Sequence, residues 1–259
     1  MSGTRLLAAI DEGRHAFGIP LRSPDPAILE ICAIAGYDWV AITLEHSSIS
    51  VRDVAMMQRA ADFRGISTLV HLADPADVRI LPLLDEGVGG IVLSGAEAAS
   101  DVDSLIQNVR FPPRGARGAG GVTRRSDYGA KPYAEYIREA DRLVAAGIVI
   151  ETVAGVERAE ELLRIDGLNL VYIGFHDLAQ SFGIPGDFTA PQLREAVTHI
   201  IGHAKSSGVA VGMAEKGFSI SELSELGVRL LINAPCGEYI ALLEALRSRL
   251  DHAKAEIGG

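Results

Sequence analysis

Residues 38–48 read DWVAITLEHSS, an apolar run that ends on an acid and an imidazole. Its β-branched and aromatic residues are typical of a strand buried in a sheet, where Glu45 and His46 would have no place. The carboxyl ends of parallel strands, however, meet at one edge, where ligands bind. The stretch therefore predicts a strand that delivers two polar side chains to such an edge.

Seven other stretches of the chain resemble this one. Each is a short apolar run, and longer segments of helical period lie between them. The eight predicted strands are AFGIPL, YDWVAITL, ISTLVHL, GGIVLS, GIVIET, NLVYIG, VAVGM and VRLLIN. Because parallel neighbours need a crossover, eight such units in 259 residues predict a closed (β/α)8 TIM barrel rather than an open doubly wound sheet. We find no internal linker in the sequence and expect a single domain over residues 1–259.

Helical segments separate the strands, and several close with glycine. They include PAILEICAIAG, VRDVAMMQRAADFRG, DVRILPLLDEG, VERAEELLRIDG and LREAVTHIIGHAKSSG, with left-handed caps predicted at Gly36, Gly65, Gly87 and Gly208. Further helices are expected near residues 3–13 and 237–256. The exception to this regularity is FPPRGARGAGGVTRRSDYGAKP, residues 111–132, between strands four and five. A loop of this length in a compact domain is usually functional or disordered.

Composition narrows the range of partners. The formal net charge of -10 and the pI near 5.2 disfavour binding to nucleic acid or to an anionic membrane. No stretch of sequence reaches the roughly 20 apolar residues that span a bilayer, and charges interrupt the N-terminal segment too early for a signal peptide. We interpret the two cysteines, Cys32 and Cys236, as small core residues with free thiols rather than as a disulfide, which is consistent with a reducing compartment. We therefore expect a cytoplasmic protein.

The predicted strands end on polar side chains, and active sites of this fold lie at that end. These side chains are Glu45 and His46, His71, Glu151, His176 and Asp177, and Asn233. Glu151 and Asp177 could bind a hard cation such as Mg²⁺ or Mn²⁺. The alternative is that both cap the helices that follow them. His46 is a candidate general base, since imidazole titrates near neutrality, or else a hydrogen-bonded structural residue.

Arginines of the long insertion are candidates for anion binding. Arg114, Arg117, Arg124 and Arg125 could make bidentate contacts to a carboxylate or phosphate, or could form the ion pairs of a solvated loop. The glycines beside them do not form a P-loop, because no Lys-Ser or Lys-Thr follows before a helix. Nor does the sequence contain a GxGxxG after the first strand or a Cys–His zinc cluster.

Several motifs together point to a known family. They are SPDPAILEICAIAGYDWVAI, LEHSSIS, FPPRGARGAGG, VIETVAGVE and YIGFHDLAQSFGIPG. With them the chain, from about Phe17 onward, resembles the HpcH/HpaI aldolases, the metal-dependent class II pyruvate aldolases that include 4-hydroxy-2-oxoheptanedioate and 2-dehydro-3-deoxyglucarate aldolases. The resemblance implies a barrel of the phosphoenolpyruvate/pyruvate type. It also implies homo-oligomers, with the last helix exchanged between paired subunits and a hexamer built from such pairs.

The resemblance also implies roles for individual residues. Glu151 and Asp177 are expected to bind a divalent ion, Mg²⁺, Mn²⁺ or Co²⁺, on which a 2-oxo acid is chelated. His46 is expected to assist proton transfer, and Glu45 matches the same motif. The expected substrate-binding residues are Arg22, Arg125, Ser94 and Gly174.

Four positions depart from the family pattern. Thr43 replaces an aspartate that helps to orient the histidine, and His71 replaces an arginine that meets the keto oxygen where negative charge develops. Ser94 replaces a proline, and Val149 replaces a glutamine. His71 is the expected remaining partner of the keto oxygen and could carry a charge when protonated, while Arg22 or Arg125 could replace the lost cation.

These expectations combine into one predicted function and two alternatives. The prediction is a carbon–carbon lyase that cleaves an aldol of a 2-oxo acid, through a metal-bound enolate, into the oxo acid and an aldehyde. The first alternative uses the same enolate for decarboxylation of a 3-carboxy-2-oxo acid, or for addition to another electrophile in a biosynthetic pathway. The second is a barrel without activity that binds a metal ion and a carboxylate.

Overall fold

The eight predicted strands form a closed barrel in the computed structural model, which describes residues 3–233 and 237–257. Neighbouring strands are parallel and follow chain order, and the last pairs with the first. The strands are β1 (Ala16–Leu21), β2 (Trp39–Thr43), β3 (Ser67–Leu72), β4 (Gly90–Leu93), β5 (Ala145–Ile150), β6 (Leu170–Ile173), β7 (Ala210–Ala214) and β8 (Leu230–Ile232). The prediction of a (β/α)8 TIM barrel is confirmed.

Helices surround the barrel. They are α1 (Gly3–Asp11), α2 (Pro26–Ala35), α3 (Val51–Arg64), α4 (Ile80–Glu86), α5 (Ala99–Val109), α6 (Tyr133–Arg142), α7 (Val153–Glu157), α8 (Ala159–Leu163), α9 (Phe175–Ser181), α10 (Pro191–Ser207), α11 (Ile220–Leu226) and α12 (Gly237–Glu256). Among the helices of the described residues, none has both the length and the apolar character needed to cross a membrane.

The predicted helix ends are largely confirmed. All four glycine caps adopt the left-handed conformation, with φ of 101° at Gly36, 70° at Gly65, 95° at Gly87 and 70° at Gly208. The segment VERAEELLRIDG differs from the prediction of one helix. Arg158 has φ −102° and ψ 9°, which ends α7 and separates it from α8.

Alternate strand residues fill the inside of the barrel, as the two-residue period of a strand requires. Trp39 is only 1% exposed there. Gly18 on the neighbouring strand gives it room, because a Cβ at Gly18 would lie 2.1 Å from the Trp39 ring. Leu6 and Ala9 of α1 belong to the same buried cluster, and the Leu6 amide donates to the Ser67 hydroxyl at the start of β3. Helix α1 therefore closes the N-terminal end of the barrel, and the site lies at the other end.

The Gly- and Arg-rich insertion, residues 111–132, also lies at the N-terminal end. It follows α5, and connections from a helix to the next strand return to that end of a barrel. Its arginines contact the ends of neighbouring helices and the start of β4: Arg117 pairs with Asp85, Arg124 with Asp62, and Arg125 donates to the Val88 carbonyl. The prediction that Arg125 binds substrate is therefore wrong, because a buried hydrogen bond holds its guanidinium at the end opposite the site.

The last helix, α12, leaves much apolar surface exposed. Its side chains that are between 39% and 56% exposed include Tyr239, Ile240, Leu242, Leu243, Leu246 and Leu250. At its start, Glu238 accepts hydrogen bonds from the amides of Arg22 and Ser23, which ties the helix to the loop after β1. Exposed apolar surface of this extent usually marks an interaction site.

The cysteines were expected to be core residues. Cys32 lies on α2, where it is buried and has a free thiol. Burial raises the pKa of this thiol to about 11, so it stays protonated at neutral pH. Cys236 lies outside the described residues.

Candidate active site

A cavity of about 150 Å³ opens at the C-terminal end of the barrel. Side chains from the ends of several strands and from the loops after them line it. All but one of the predicted site residues are among them: Arg22, Glu45, His46, His71, Ser94, Glu151, Gly174 and Asp177. The barrel thus brings together residues that are far apart in the sequence.

Glu151 is positioned by β5 and by the glycine that follows the neighbouring strand β6. It follows Val149 by two residues and so continues the inward-facing series of β5. Gly174 leaves space for it, since a Cβ there would lie 2.4 Å from Glu151 Oε2. The cap of the next helix is Thr152, whose hydroxyl accepts from the Gly155 amide. Thr152 rather than Glu151 caps that helix, so the Glu151 carboxylate is available for a ligand.

Two further carboxylates lie near Glu151. Asp177 is in the first turn of α9, where the helix dipole favours negative charge, and Glu45 follows β2. Burial, followed by the charges of Asp177 and Glu45, raises the pKa of Glu151 to about 7. A divalent cation stabilises carboxylates that lie close together in a cleft, so this donor set fits Mg²⁺ or Mn²⁺.

The site offers few protein ligands to a metal ion. Within residues 3–233 and 237–257, no group of three or more His, Cys, Asp or Glu side chains is arranged to enclose a metal ion. A site with two carboxylates suits Mg²⁺ in particular, because this ion keeps several water ligands and takes few from protein.

His46 lies at the mouth of the cavity. Its side chain is 65% exposed, and Nε2 is 4.0 Å from Glu45 Oε2. The Thr43 hydroxyl accepts a hydrogen bond of 3.4 Å from the Glu45 amide, and the Thr43 carbonyl accepts one from the Ser47 hydroxyl. Thr43 thus shapes the turn that presents Glu45 and His46 to the cavity.

His71 lies deeper in the barrel, with its ring edge-on to Tyr172 and the ring centroids 6.5 Å apart. Burial lowers the pKa of His71 to about 4, so the imidazole is neutral at physiological pH. The expectation that His71 could supply a positive charge is therefore wrong, because desolvation opposes that charge. A neutral imidazole still donates one N–H hydrogen bond.

The residues near the site that the sequence analysis did not predict include Trp39, Tyr172 and Lys216. Trp39 and Tyr172 line the cavity from inside the barrel. The two-residue period could have identified Tyr172, which precedes Gly174 by two positions. Lys216 follows β7. The pKa of His176 is lowered mainly by the burial of its own ring and, second, by the positive charge of Lys216. Its place after a strand was visible in the sequence.

An eight-stranded parallel barrel with a carboxylate-lined cavity at its C-terminal end places this protein among the TIM-barrel proteins with an enzyme-like site. Residues 17–217 match the model of one family, described as HpcH/HpaI aldolase/citrate lyase. The chain belongs to this family.

The relatives of the chain include aldolases and a synthase. It is 32% identical to 4-hydroxy-2-oxovalerate aldolase of Rhodococcus jostii over 79% of each chain. It is 28% identical to hydroxypyruvate/pyruvate aldolase of Sagittula stellata, over 88% of this chain and 89% of that one. Among solved structures, citrate synthase SbnG superimposes with a TM-score of 0.89 at 25% identity, over 98% of this chain and 99% of that one.

Proposed function

We propose that this protein is a divalent-metal-dependent carbon–carbon lyase that cleaves an aldol of a 2-oxo acid into the oxo acid and an aldehyde. The observation that carries the proposal is the convergence of Glu151, Asp177 and His46 on one cavity. Its support comes from aldolase relatives that are about as long as this chain and match most of it.

Glu151 and Asp177 would hold the metal ion, Mg²⁺, Mn²⁺ or Co²⁺. When bound, such an ion polarises the keto group of an oxo acid and stabilises the negative charge that develops there. Gly174 supports this role, because it leaves the Glu151 carboxylate the space that any larger residue would take.

The other residues would move a proton and orient the substrate. His46 is exposed at the mouth, where it can take the proton from the hydroxyl of the aldol, and Glu45 is close enough to balance the resulting positive charge. His71 would donate its N–H to the keto oxygen from the interior of the barrel. Arg22 and Ser94, on the same cavity, would bind the substrate carboxylate.

We also propose that the protein forms homo-oligomers. The exposed apolar face of α12 supports this, because a second copy could cover its leucines. An exchange of α12 between two subunits would bury that face, and pairs of this kind could build a hexamer. Glu238 would then hold the start of the exchanged helix against its own barrel.

Metal binding is expected to weaken as the pH falls below about 7, because Glu151 must lose a proton to become a ligand. Each pH unit below that pKa should raise the apparent Kd for Mn²⁺ about tenfold. Calorimetric titrations with Mn²⁺ between about pH 5 and about pH 8 would measure the effect. A Kd that stays constant over this range would contradict the assignment of Glu151 as a ligand.

One alternative reaction has a specific observation in its favour. The neutral His71 provides no permanent charge beside the keto oxygen, and the structural likeness to a citrate synthase includes nearly the whole chain. The same cavity could therefore serve decarboxylation of a 3-carboxy-2-oxo acid, or addition of an enolate to another carbonyl acid. Product analysis after incubation with oxaloacetate would distinguish these reactions from aldol cleavage.

The proposed activity can be tested without knowledge of the aldehyde. We expect the metal-stripped protein to exchange the methyl protons of pyruvate in D₂O only after Mg²⁺, Mn²⁺ or Co²⁺ is added. Exchange requires an enolate, and the cation would stabilise the negative charge of that enolate. Proton NMR of the methyl signal measures the rate. Absence of exchange in a protein that is shown to bind metal would refute pyruvate as the oxo acid and would favour another oxo acid or a barrel without activity.

A further inference from the structure

The proposed reaction leaves unexplained a cluster of buried arginines at the N-terminal end of the barrel. Arg117 and Arg125 of the insertion are each only 3% exposed. The Arg117 guanidinium carbon lies 4.5 Å from the centre of the Phe111 ring, and Nη2 is 3.2 Å from Asp85 Oδ1. Arg125 donates from Nη1 to the Val88 carbonyl at 3.2 Å. Both guanidinium groups are thus fixed within one chain and removed from bulk water.

Several donors of these two arginines have no acceptor among the described residues. They are Nε and Nη1 of Arg117 and Nε and Nη2 of Arg125. Beside them, the hydroxyls of Tyr136 and Thr123 approach each other without a hydrogen bond of standard geometry. Since buried polar groups nearly always have a partner, four such nitrogens on two neighbouring side chains indicate a common acceptor.

The charge balance favours an anion over a water molecule. Asp85 is close enough to feel the charge of both arginines, but its ion pair is with Arg117. In the part of the chain that the structure describes, no carboxylate forms an ion pair with Arg125: Asp62, whose charge acts on Arg125, pairs with Arg124. Burial and the charge of Arg117 lower the pKa of Arg125 to about 10, so Arg125 is protonated at neutral pH. The Arg117 guanidinium keeps its charge beside the Asp85 carboxylate. A water molecule would leave this surplus positive charge buried, whereas an anion would neutralise it.

The acceptor must be small and must come from solution. Because both arginines are buried inside a single chain, a side chain of another subunit cannot reach them. The buried atoms without a partner include guanidinium nitrogens of both arginines, which can only donate, and the Tyr136 hydroxyl, which can also donate. Such surroundings exclude cations and select a compact anion.

We propose that Arg117, Arg125 and Tyr136 bind a small inorganic anion, chloride or a compact oxyanion, between the insertion and the N-terminal end of the barrel. The anion joins residues 111–132 to α4 and the start of β4. It stabilises the fold at the end of the barrel opposite the cavity and takes no part in the reaction there.

The test is thermal unfolding of the full-length protein in gluconate buffers of constant ionic strength, with increasing chloride or, separately, phosphate. We expect the Tm to rise by about 5 °C and to saturate with at least one of these anions, as ligand binding to the folded state requires. Saturation with chloride alone identifies a monatomic site, and saturation with phosphate alone identifies an oxyanion site. A Tm that depends on neither anion would overturn the proposal.

Matched variants locate the site. Tyr136→Phe keeps the ring but removes one donor, and should raise the half-saturating anion concentration about fivefold. Arg125→Met should abolish the saturable rise. Arg114→Met is the control, because this arginine lies in the same insertion with a side chain that is 57% exposed, and its protein should respond like the unaltered one.

Direct observation keeps the proposal testable if Arg125→Met does not fold. Crystals of the unaltered protein grown in bromide should show an anomalous peak beside Arg117 and Arg125 if the site is monatomic, and phosphate should give tetrahedral density there if it is not. Two results together would contradict the proposal. They are a saturable rise of the Tm that is the same in the Tyr136→Phe protein, and crystals that show no anion beside Arg117 and Arg125.

Discussion

Glu151→Gln and Asp177→Asn proteins are expected to lose about a thousandfold of the rate at which the unaltered protein exchanges the methyl protons of pyruvate. Each change removes a charged oxygen ligand while it keeps the size of the side chain, so the ion that stabilises developing negative charge is held poorly. The rate is measured by proton NMR in D₂O at the Mn²⁺ concentration that just saturates the unaltered protein. The Kd for Mn²⁺, measured by calorimetry, should rise in parallel.

Glu97→Gln provides the control for both variants. Glu97 is an exposed carboxylate that follows β4 at the same end of the barrel, but it is not among the residues that line the cavity. Its exchange rate should equal that of the unaltered protein. Full activity of either ligand variant would show that the two carboxylates do not hold a catalytic metal ion.

Trp39→Ala is expected to lower the free energy of unfolding by about 3 to 5 kcal/mol. The indole is fully buried inside the barrel, and its Nε1 donates to the Ala16 carbonyl at 3.3 Å. Gly18 cannot fill the resulting cavity, because it has no side chain and its backbone is fixed by pairing with β2 and β8. Urea unfolding followed by circular dichroism measures the loss.

Two further variants test the reason for that loss. Trp39→Phe keeps part of the ring and should cost clearly less than Trp39→Ala. Phe63→Ala removes a similar aromatic ring that is 79% exposed, and should change stability by no more than about 0.5 kcal/mol. If Trp39→Ala cost no more than Phe63→Ala, packing inside the barrel could not be what stabilises this fold.

The strands were predictable because local sequence determines them. All eight apolar runs became strands of the barrel, and most of the polar side chains at their ends met at one cavity, since parallel strands all end on the same side. Asn233, after the last strand, is not among the residues that line it. The position of Arg125 was also available in principle. The apolar positions Val102, Leu105, Ile106 and Val109 indicate helix α5 ahead of the insertion, so the insertion connects a helix to a strand and lies away from the site.

The protonation of His71 could not be predicted from sequence. Its pKa depends on how completely Tyr172 and the other residues around the cavity exclude water, and this is set by side chains from several strands. Similarly, nothing local to Gly174 shows that the space above it belongs to Glu151 of another strand. Both features arise only when the barrel closes.

The position of the insertion has a consequence for how this protein can change during evolution. Residues 111–132 and the proposed reaction lie at opposite ends of the barrel, and packed layers that include Trp39 separate them. A substitution in the insertion would alter how many molecules are folded, whereas one around the cavity would alter what each folded molecule does. Selection can therefore adjust stability and substrate preference independently. A gain in stability from the insertion can offset a loss of stability caused by a substitution around the cavity.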